Sequence, residues 1–154
     1  MAITAKEYLS QARNIEADIN AKLQEAERIR SQAEKITTSF SFGKTLGGEE
    51  GSRVENAAIK LVELEKAVLE DVDRLIQAKE EIRQTIDQLQ DQSQKTILRM
   101  RYLLGETWET IAYRSHYSWR NVHYIHKAAL AEVAAILRQR GDDGLHTIAH
   151  KKVI

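Results

Sequence analysis

Proline and cysteine are absent from this 154-residue chain, and glycine occurs only seven times. Because proline breaks helices more strongly than any other residue, its absence permits unusually long helices. The lack of cysteine excludes disulfides and thiolate metal sites. No apolar run approaches the roughly 20 residues that a membrane span needs, and the first residues lack the pattern of a secretory signal. We therefore expect a cytoplasmic, all-α protein with no membrane association.

Charge is distributed unevenly along the chain, although the formal net charge is zero. Residues 1–93 carry 13 basic and 18 acidic side chains, a net charge of −5. Residues 94–140 carry eight basic and three acidic side chains, a net charge of +5, together with three histidines. This asymmetry indicates that the second part of the chain approaches a polyanion such as DNA.

Two long segments carry apolar residues at alternating steps of three and four, the spacing of one helix face. In residues 4–36 these are Tyr8, Ala12, Ile15, Ile19, Ala26, Ile29, Ala33 and Ile36. In residues 54–89 they are Val54, Ala58, Leu61, Leu64, Val68, Val72, Leu75, Ile82, Ile86 and Leu89. The segment between them, residues 37–52, is rich in serine and glycine and predicts a loop. The pattern predicts a long N-terminal antiparallel helical hairpin resembling a coiled coil, whose first helix begins with a Thr4–Glu7 capping box.

The narrow apolar seam of this predicted hairpin includes many small residues. Two helices would leave part of such a surface uncovered, and either helix could instead pair with its copy in a second chain. We therefore expect a homo-oligomer, with a dimer favoured, and residues 1–92 form the predicted interaction or oligomerisation domain.

The pattern changes to short helices after a polar break at residues 91–93. Ser93 is the predicted N-cap of a helix over residues 94–104, which Gly105 is placed to end. Residues 93–140 form the second predicted domain, and residues 141–154, which follow Gly-Asp-Asp-Gly, a flexible tail.

Residues 107–138 have the pattern of a helix-turn-helix. Thr107 is placed to cap a short helix over 108–114, and Ser118 to cap a longer one that runs to about residue 138. Ile111, Ala112, Val122 and Ile125 stand where the core of a tri-helical unit needs apolar or small residues. His116 occupies the turn position that usually takes glycine, and histidine tolerates the left-handed conformation better than most residues.

The second helix of this motif has a polar outer face. With Val122 directed to the core, Arg120, Tyr124 and Lys127 lie on the opposite side and His123 flanks them. Such a cluster at the start of a helix suits the major groove of DNA. Trp119 either contacts the sugar-phosphate edge or packs on Trp108, and the remaining candidates for phosphate contact are Arg101, Arg114, Tyr117 and Ser118. His126 is directed inward, so we expect a core histidine and not a metal ligand.

These residues resemble a family of small proteins of unknown function from phages and prophages of Gram-positive bacteria. The resemblance lies in residues 101–105, 107–109, 111–112 and 117–118 with Val122, His126, Ala129 and Leu130, and at the start in residues 4–12 with Ile15, Ile19, Lys22 and Leu23. It implies a C-terminal helix-turn-helix similar to sigma-factor region 4 and a function similar to that of phage late-gene regulators. Promoter DNA or RNA polymerase in a bacterial host cell are the partners it implies.

The function predicted from the sequence is a sequence-specific, DNA-binding transcription regulator. Two alternatives stay open: a protein-interaction module for a phage or host protein, and a small DNA-packaging subunit. No catalytic constellation stands in a suitable context, so we expect neither enzymatic activity nor a cofactor or metal.

Overall fold

The computed structural model describes residues 3–40 and 48–140, and over these residues the chain is helical, which confirms the predicted all-α class. Its elements are α1 (Ala5–Phe40), α2 (Glu49–Asp87), α3 (Gln92–Leu98), a π-helical turn (Arg99–Leu103), α4 (Trp108–Ser115) and α5 (Trp119–Gln139). None of the helices in these two ranges is long and apolar enough to cross a membrane. The predicted flexible tail, residues 141–154, lies outside the described residues, as do residues 41–47 of the predicted loop.

The two long helices extend further into the predicted loop than the sequence pattern indicates. α1 continues to Phe40 and α2 begins at Glu49. The hydroxyls of Thr37 and Thr38 donate hydrogen bonds to the carbonyl oxygens four residues earlier, at 2.9 and 2.8 Å. Because the helix itself satisfies these polar side chains, they do not end it. The predicted start of α1 is confirmed: the Thr4 amide donates to Glu7 Oε2 (2.6 Å) and the Glu7 amide to Thr4 Oγ1 (3.1 Å).

Contacts divide the chain into two compact units. The first unit combines the start of α1, up to Ile15, with the chain from Arg74 onwards, and the second unit is Glu16–Asp73. In the first unit the Tyr8 hydroxyl hydrogen-bonds to Thr85 Oγ1 at 3.1 Å. The start of α1 and the end of α2 thus belong with the C-terminal helices, and the domain boundary predicted at residues 92–93 stays a prediction.

In the second unit α1 and α2 share an ion pair and a cavity. The Lys22 ammonium forms an ion pair with the buried carboxylate of Asp71. Further along α1, and nearer the start of α2, residues of both helices line a cavity of about 620 Å³; among them are Ile29, Ala33 and Ile36 from α1 and Arg53, Ala57 and Lys60 from α2.

The core of the first unit contains a cluster of Ile97, Ile111 and Val122, at most 1% exposed, with Met100, Trp108, Ala112 and Ile125 packed against it. The inward direction predicted for Ile111, Ala112, Val122 and Ile125 is confirmed. The start of α1 contributes to the same unit with the buried side chains of Tyr8, Leu9 and Ala12. α3 and α4 both pack on α5, so α5 is the central helix of this region.

The entry to α3 differs from the prediction in its capping residue. Asp91 Oδ1 accepts hydrogen bonds from the amides of Ser93 (2.9 Å) and Gln94 (3.1 Å), and from the Ser93 hydroxyl. These bonds favour the charged carboxylate and lower the pKa of Asp91. The prediction of Ser93 as the N-cap was therefore wrong: the serine hydroxyl is a donor to the residue that caps the helix.

The helix predicted over residues 94–104 is α-helical only to Leu98 and then widens into the π-helical turn. The amide of Leu104 donates to Arg99 O and that of Glu106 to Met100 O, both at 3.0 Å. Gly105, with φ +71°, ends this segment as predicted, because glycine adopts positive φ at little cost.

Candidate nucleic-acid interface

Both helices of the region predicted to bind DNA begin at a hydroxyl side chain. Thr107 Oγ1 accepts a hydrogen bond from the amide of Thr110 at 3.2 Å, and Ser118 Oγ accepts one from the amide of Asn121 at 3.1 Å. The two predicted N-caps are confirmed. Each satisfies a backbone donor that the first helical turn leaves free, which defines where α4 and α5 begin.

The connection between α4 and α5 depends on one left-handed residue. His116 has φ +61° and ψ +23°, and its amide donates to Tyr113 O at 3.4 Å. This is the conformation expected for the position where the pattern prefers glycine. The preceding Ser115 is polar where an apolar residue would seal the turn. Its hydroxyl donates to Ile111 O at 2.6 Å, so it introduces no unsatisfied group.

The outer face of α5 carries the three side chains on which the prediction rests. Arg120, Tyr124 and Lys127 are exposed, Tyr124 to 74%. The opposite face of the same helix buries Val122, His126, Ala129, Val133 and Leu137. Within the described part of the chain, none of the three outer side chains forms a hydrogen bond or an ion pair. α5 therefore presents a cation, a phenol and a second cation with no partner in the first unit.

Three rings form an aromatic row from α4 to the start of α5: Trp108, His123 and Trp119. The His123 ring centroid lies 4.6 Å from that of Trp108 and 3.9 Å from that of Trp119. Trp119 therefore packs on His123, although 57% of its surface stays exposed. His123 Nε2 is buried and has no hydrogen-bond partner among the described residues. His123 thus supports the two indoles instead of extending outward beside Arg120.

His126 is a core histidine, as predicted. Its Nε2 hydrogen-bonds to the Tyr102 hydroxyl at 2.7 Å, and its ring contacts Trp108 edge-on at 4.6 Å. Burial, with smaller contributions from His123, Lys6 and Arg101, lowers its pKa to about 4. His126 is buried, whereas His123 is partly exposed between the two indoles. No group of three metal-ligating side chains occurs in the part of the chain that the structure describes.

Two arginines predicted to contact phosphate meet at one glutamate. Glu106 Oε1 forms an ion pair with Arg114, and the backbone oxygen of Glu106 accepts a hydrogen bond from Arg101 Nη1 at 3.0 Å. The Arg101 guanidinium also lies over the Trp108 ring, 4.4 Å from its centroid, and desolvation lowers its pKa. We call Glu106, Arg101 and Arg114 the Glu106 cluster. Unlike Arg120 and Lys127, both of its arginines already have partners within the protein.

Sequence reasoning missed two residues of this surface, Glu106 and Tyr113. Tyr113 lies on α4 and is 83% exposed, more than Tyr117 at 38%. It stands two residues after the buried Ile111, about 200° around the helix, so helical periodicity alone could have indicated its outward direction. The role of Glu106 carried no sequence signal, because its partner Arg114 stands eight residues away.

Over residues 3–40 and 48–140 the protein is all-helical, and its first unit has a basic and aromatic face without partners among these residues. It belongs to the family described as "Protein of unknown function (DUF1492)", whose model matches residues 35–134. The match includes α2 to α4 and most of α5, but not residues 4–23, where the sequence suggested a further resemblance. No curated protein and no solved structure matches the chain.

Proposed function

We propose that this protein is a non-enzymatic, sequence-specific DNA-binding regulator of transcription, of the kind found in phages and prophages. In this proposal α4, the turn at His116 and α5 form a helix-turn-helix similar to sigma-factor region 4, and α5 enters the major groove. The observation that carries it is the outer face of α5. Arg120, Tyr124 and Lys127 are exposed there without partners among the described residues, on a helix whose opposite face buries five side chains.

The chemistry of these side chains fits the edges of base pairs. An arginine can donate two parallel hydrogen bonds to guanine, and a lysine can reach guanine or phosphate. The Tyr124 hydroxyl can hydrogen-bond to a base edge, while its ring can cover a thymine methyl. The exposed part of Trp119 stands at the N-terminus of α5, where a side chain of an inserted helix meets the sugar-phosphate edge.

The first prediction concerns Arg120 and Lys127. Arg120→Ala should weaken binding to a specific duplex by about 1 to 3 kcal/mol, because a guanine contact is lost. Lys127→Ala should weaken binding to all duplexes and reduce the slope of log affinity against log salt by about one. The affinities would be measured by fluorescence anisotropy, on duplexes selected by the purified protein from fragments of a phage-carrying genome.

The matched control for this prediction is Arg138→Ala. Arg138 is an exposed arginine in the last turn of the same helix, so its replacement changes the net charge equally. It should change the affinity less than twofold. Selected duplexes that bind the Arg120 and Lys127 variants as tightly as the unaltered protein would rule out the proposed function.

For the N-terminal part we propose an antiparallel helical hairpin that dimerises through α2. The Lys22–Asp71 ion pair and the shared cavity support opposite helix directions in the second unit. On α2, Ile59, Val62 and Leu69 are 53, 64 and 65% exposed. Val62 and Leu69 are seven residues apart, the repeat that keeps one helix in contact with another. We expect a second copy of this chain to bind this face of α2, because helix-turn-helix proteins commonly act as dimers that read two half-sites on DNA.

The second prediction follows from this exposed α2 face. Replacing both Val62 and Leu69 by glutamate should convert the dimer into a monomer, because the two charges would be buried against the partner helix. Sedimentation equilibrium would measure the mass. The control is Glu63→Lys, a charge change on the same helix about 100° away from Val62. A monomeric unaltered protein would refute dimerisation, and an unchanged dimer in the double variant would refute this face.

A further inference from the structure

The Glu106 cluster lies within the proposed DNA-binding region. Both of its arginines, Arg101 and Arg114, are bound to Glu106. Glu106 stands between Gly105 and the N-cap Thr107, and its side chain is 16% exposed. Its Oε1 pairs with Arg114, whose side chain is 51% exposed. Its Oε2 is buried and has no hydrogen-bond partner among the described residues. In the described part of the chain the carboxylate thus has one charged partner, Arg114, and that side chain is half exposed.

We propose that Glu106 holds Arg114 away from the DNA backbone and thereby limits sequence-independent binding. This inference rests on the proposed function. Glu106 is then a positioning residue that acts through Arg114. Its role is to limit non-specific binding, and it does not contact base pairs itself.

The two arginines of the Glu106 cluster differ in how firmly they are held. Arg101 is hydrogen-bonded to a backbone oxygen and stacked on Trp108, so it stays in place whatever the charge of the Glu106 side chain. Arg114 is bound only through the carboxylate, among the interactions within the described chain. Loss of that charge therefore releases Arg114 and leaves Arg101 and the turn unchanged.

A released arginine has a predictable effect on DNA binding. Each phosphate that a cation neutralises adds about 0.9 to the magnitude of the salt slope and raises the affinity for every sequence. Removing the carboxylate also removes its repulsion of phosphate. Because genomes offer a large excess of non-specific sites, a carboxylate that suppresses such binding improves the ratio of specific to non-specific occupancy.

The test is Glu106→Gln, which keeps the shape and removes the charge. On a duplex of random sequence we expect three- to tenfold tighter binding and a salt slope steeper by about 0.9. The matched control is Glu109→Gln, which removes an exposed carboxylate from the first turn of α4. If the gain comes from Arg114, Glu109→Gln gives clearly less, and Arg114→Ala in the Glu106→Gln background abolishes it.

Arg114→Ala in the unaltered background tests the same idea with the Glu106 carboxylate still charged. The binding to random duplex should change less than twofold, because the ion pair already occupies this arginine. A loss of fivefold or more would overturn the inference, since Arg114 would then be a phosphate contact in the native protein. So would equal gains from Glu106→Gln and Glu109→Gln, or a gain that persists without Arg114.

The outcome separates this inference from the function on which it rests. If the unaltered protein binds its selected duplexes and loses affinity on Arg120→Ala, while Glu106→Gln has no effect, only the role of Glu106 fails. If no variant binds any duplex, the proposed function fails as well. Circular dichroism of each variant before the titrations verifies that it is folded.

Discussion

Replacing Ile111 by alanine should lower the free energy of unfolding of the first unit by about 3 kcal/mol, within the range of about 2 to 5 kcal/mol typical of such core truncations. Ile111 is fully buried in the cluster with Ile97 and Val122. The eight residues of α4 are too few to form a stable helix alone, so α4 depends on this contact with α3 and α5. Under the proposed function, the affinity for DNA should fall with the stability, because α4 packs on α5.

Urea unfolding followed by tryptophan fluorescence would measure this loss. The chain has two tryptophans, Trp108 and Trp119, and both lie in the first unit, so the signal reports on that unit. Tyr113→Ala is the control, because Tyr113 lies on the same helix but is exposed, and its loss should cost less than about 1 kcal/mol. Equal losses for the two variants would contradict the burial of Ile111 described above.

Acidification from pH 7 to pH 5 should destabilise the first unit by about 2 kcal/mol through His126 alone. Its pKa is lowered to about 4 in the folded protein, chiefly by burial, whereas an unfolded histidine titrates near 6.5. Between these two values the unfolded chain binds a proton that the folded chain does not bind. The contribution is therefore fully present above pH 6.5 and is lost as the pH falls towards 4.

Comparing the unaltered protein with His126→Gln tests whether the pH dependence of stability comes from His126. In His126→Gln the loss of stability between pH 7 and pH 5 should become smaller by about 2 kcal/mol, even though the variant is less stable at pH 7. His116→Asn is the matched control, because it removes an exposed histidine and keeps a residue that tolerates positive φ. A pH dependence that is the same in His126→Gln as in the unaltered protein would refute this assignment.

Local sequence signals predicted the elements of the C-terminal region well. Thr107 and Ser118 were identified as caps because a hydroxyl precedes each apolar periodic segment, and both accept the expected hydrogen bond. The left-handed conformation of His116 was also predicted correctly, because histidine tolerates positive φ better than most residues. The inward direction of His126 also followed from the 100° turn per residue. Each of these features depends on residues within one or two helical turns.

The predictions failed where two signals competed over a short distance. Asp91 and Ser93 can both cap a helix, because aspartate and serine have similar preferences for the N-cap position. Asp91 is the N-cap because one of its carboxylate oxygens accepts hydrogen bonds from two amides and from the Ser93 hydroxyl. The loop predicted from the serine and glycine content of residues 37–52 was too long, because Thr37 and Thr38 hydrogen-bond to carbonyl oxygens of α1 and the helix continues past them.

The environment of the candidate site could be predicted only in part. Sequence periodicity placed Arg120, Tyr124 and Lys127 on the outer face, where the structure has them. It treated Arg101 and Arg114 in the same way, as surface cations available to phosphate. Their contacts with Glu106 depend on how the π-helical turn and α4 approach each other, and no local pattern encodes that approach.

The sequence by itself determined that the chain is helical, which face of each helix is apolar and where α4 and α5 begin, because these properties depend on neighbouring residues and on the 3.6-residue period. The tertiary structure alone decided which cations are free. Among the described residues, the arginine at position 120 has no ionic partner, whereas the arginine at position 114 forms an ion pair with Glu106. The difference lies in a carboxylate that folding brings near Arg114 and not near Arg120. It also decided that the start of α1 packs in the first unit with α5, because burial depends on contacts between residues distant in the chain.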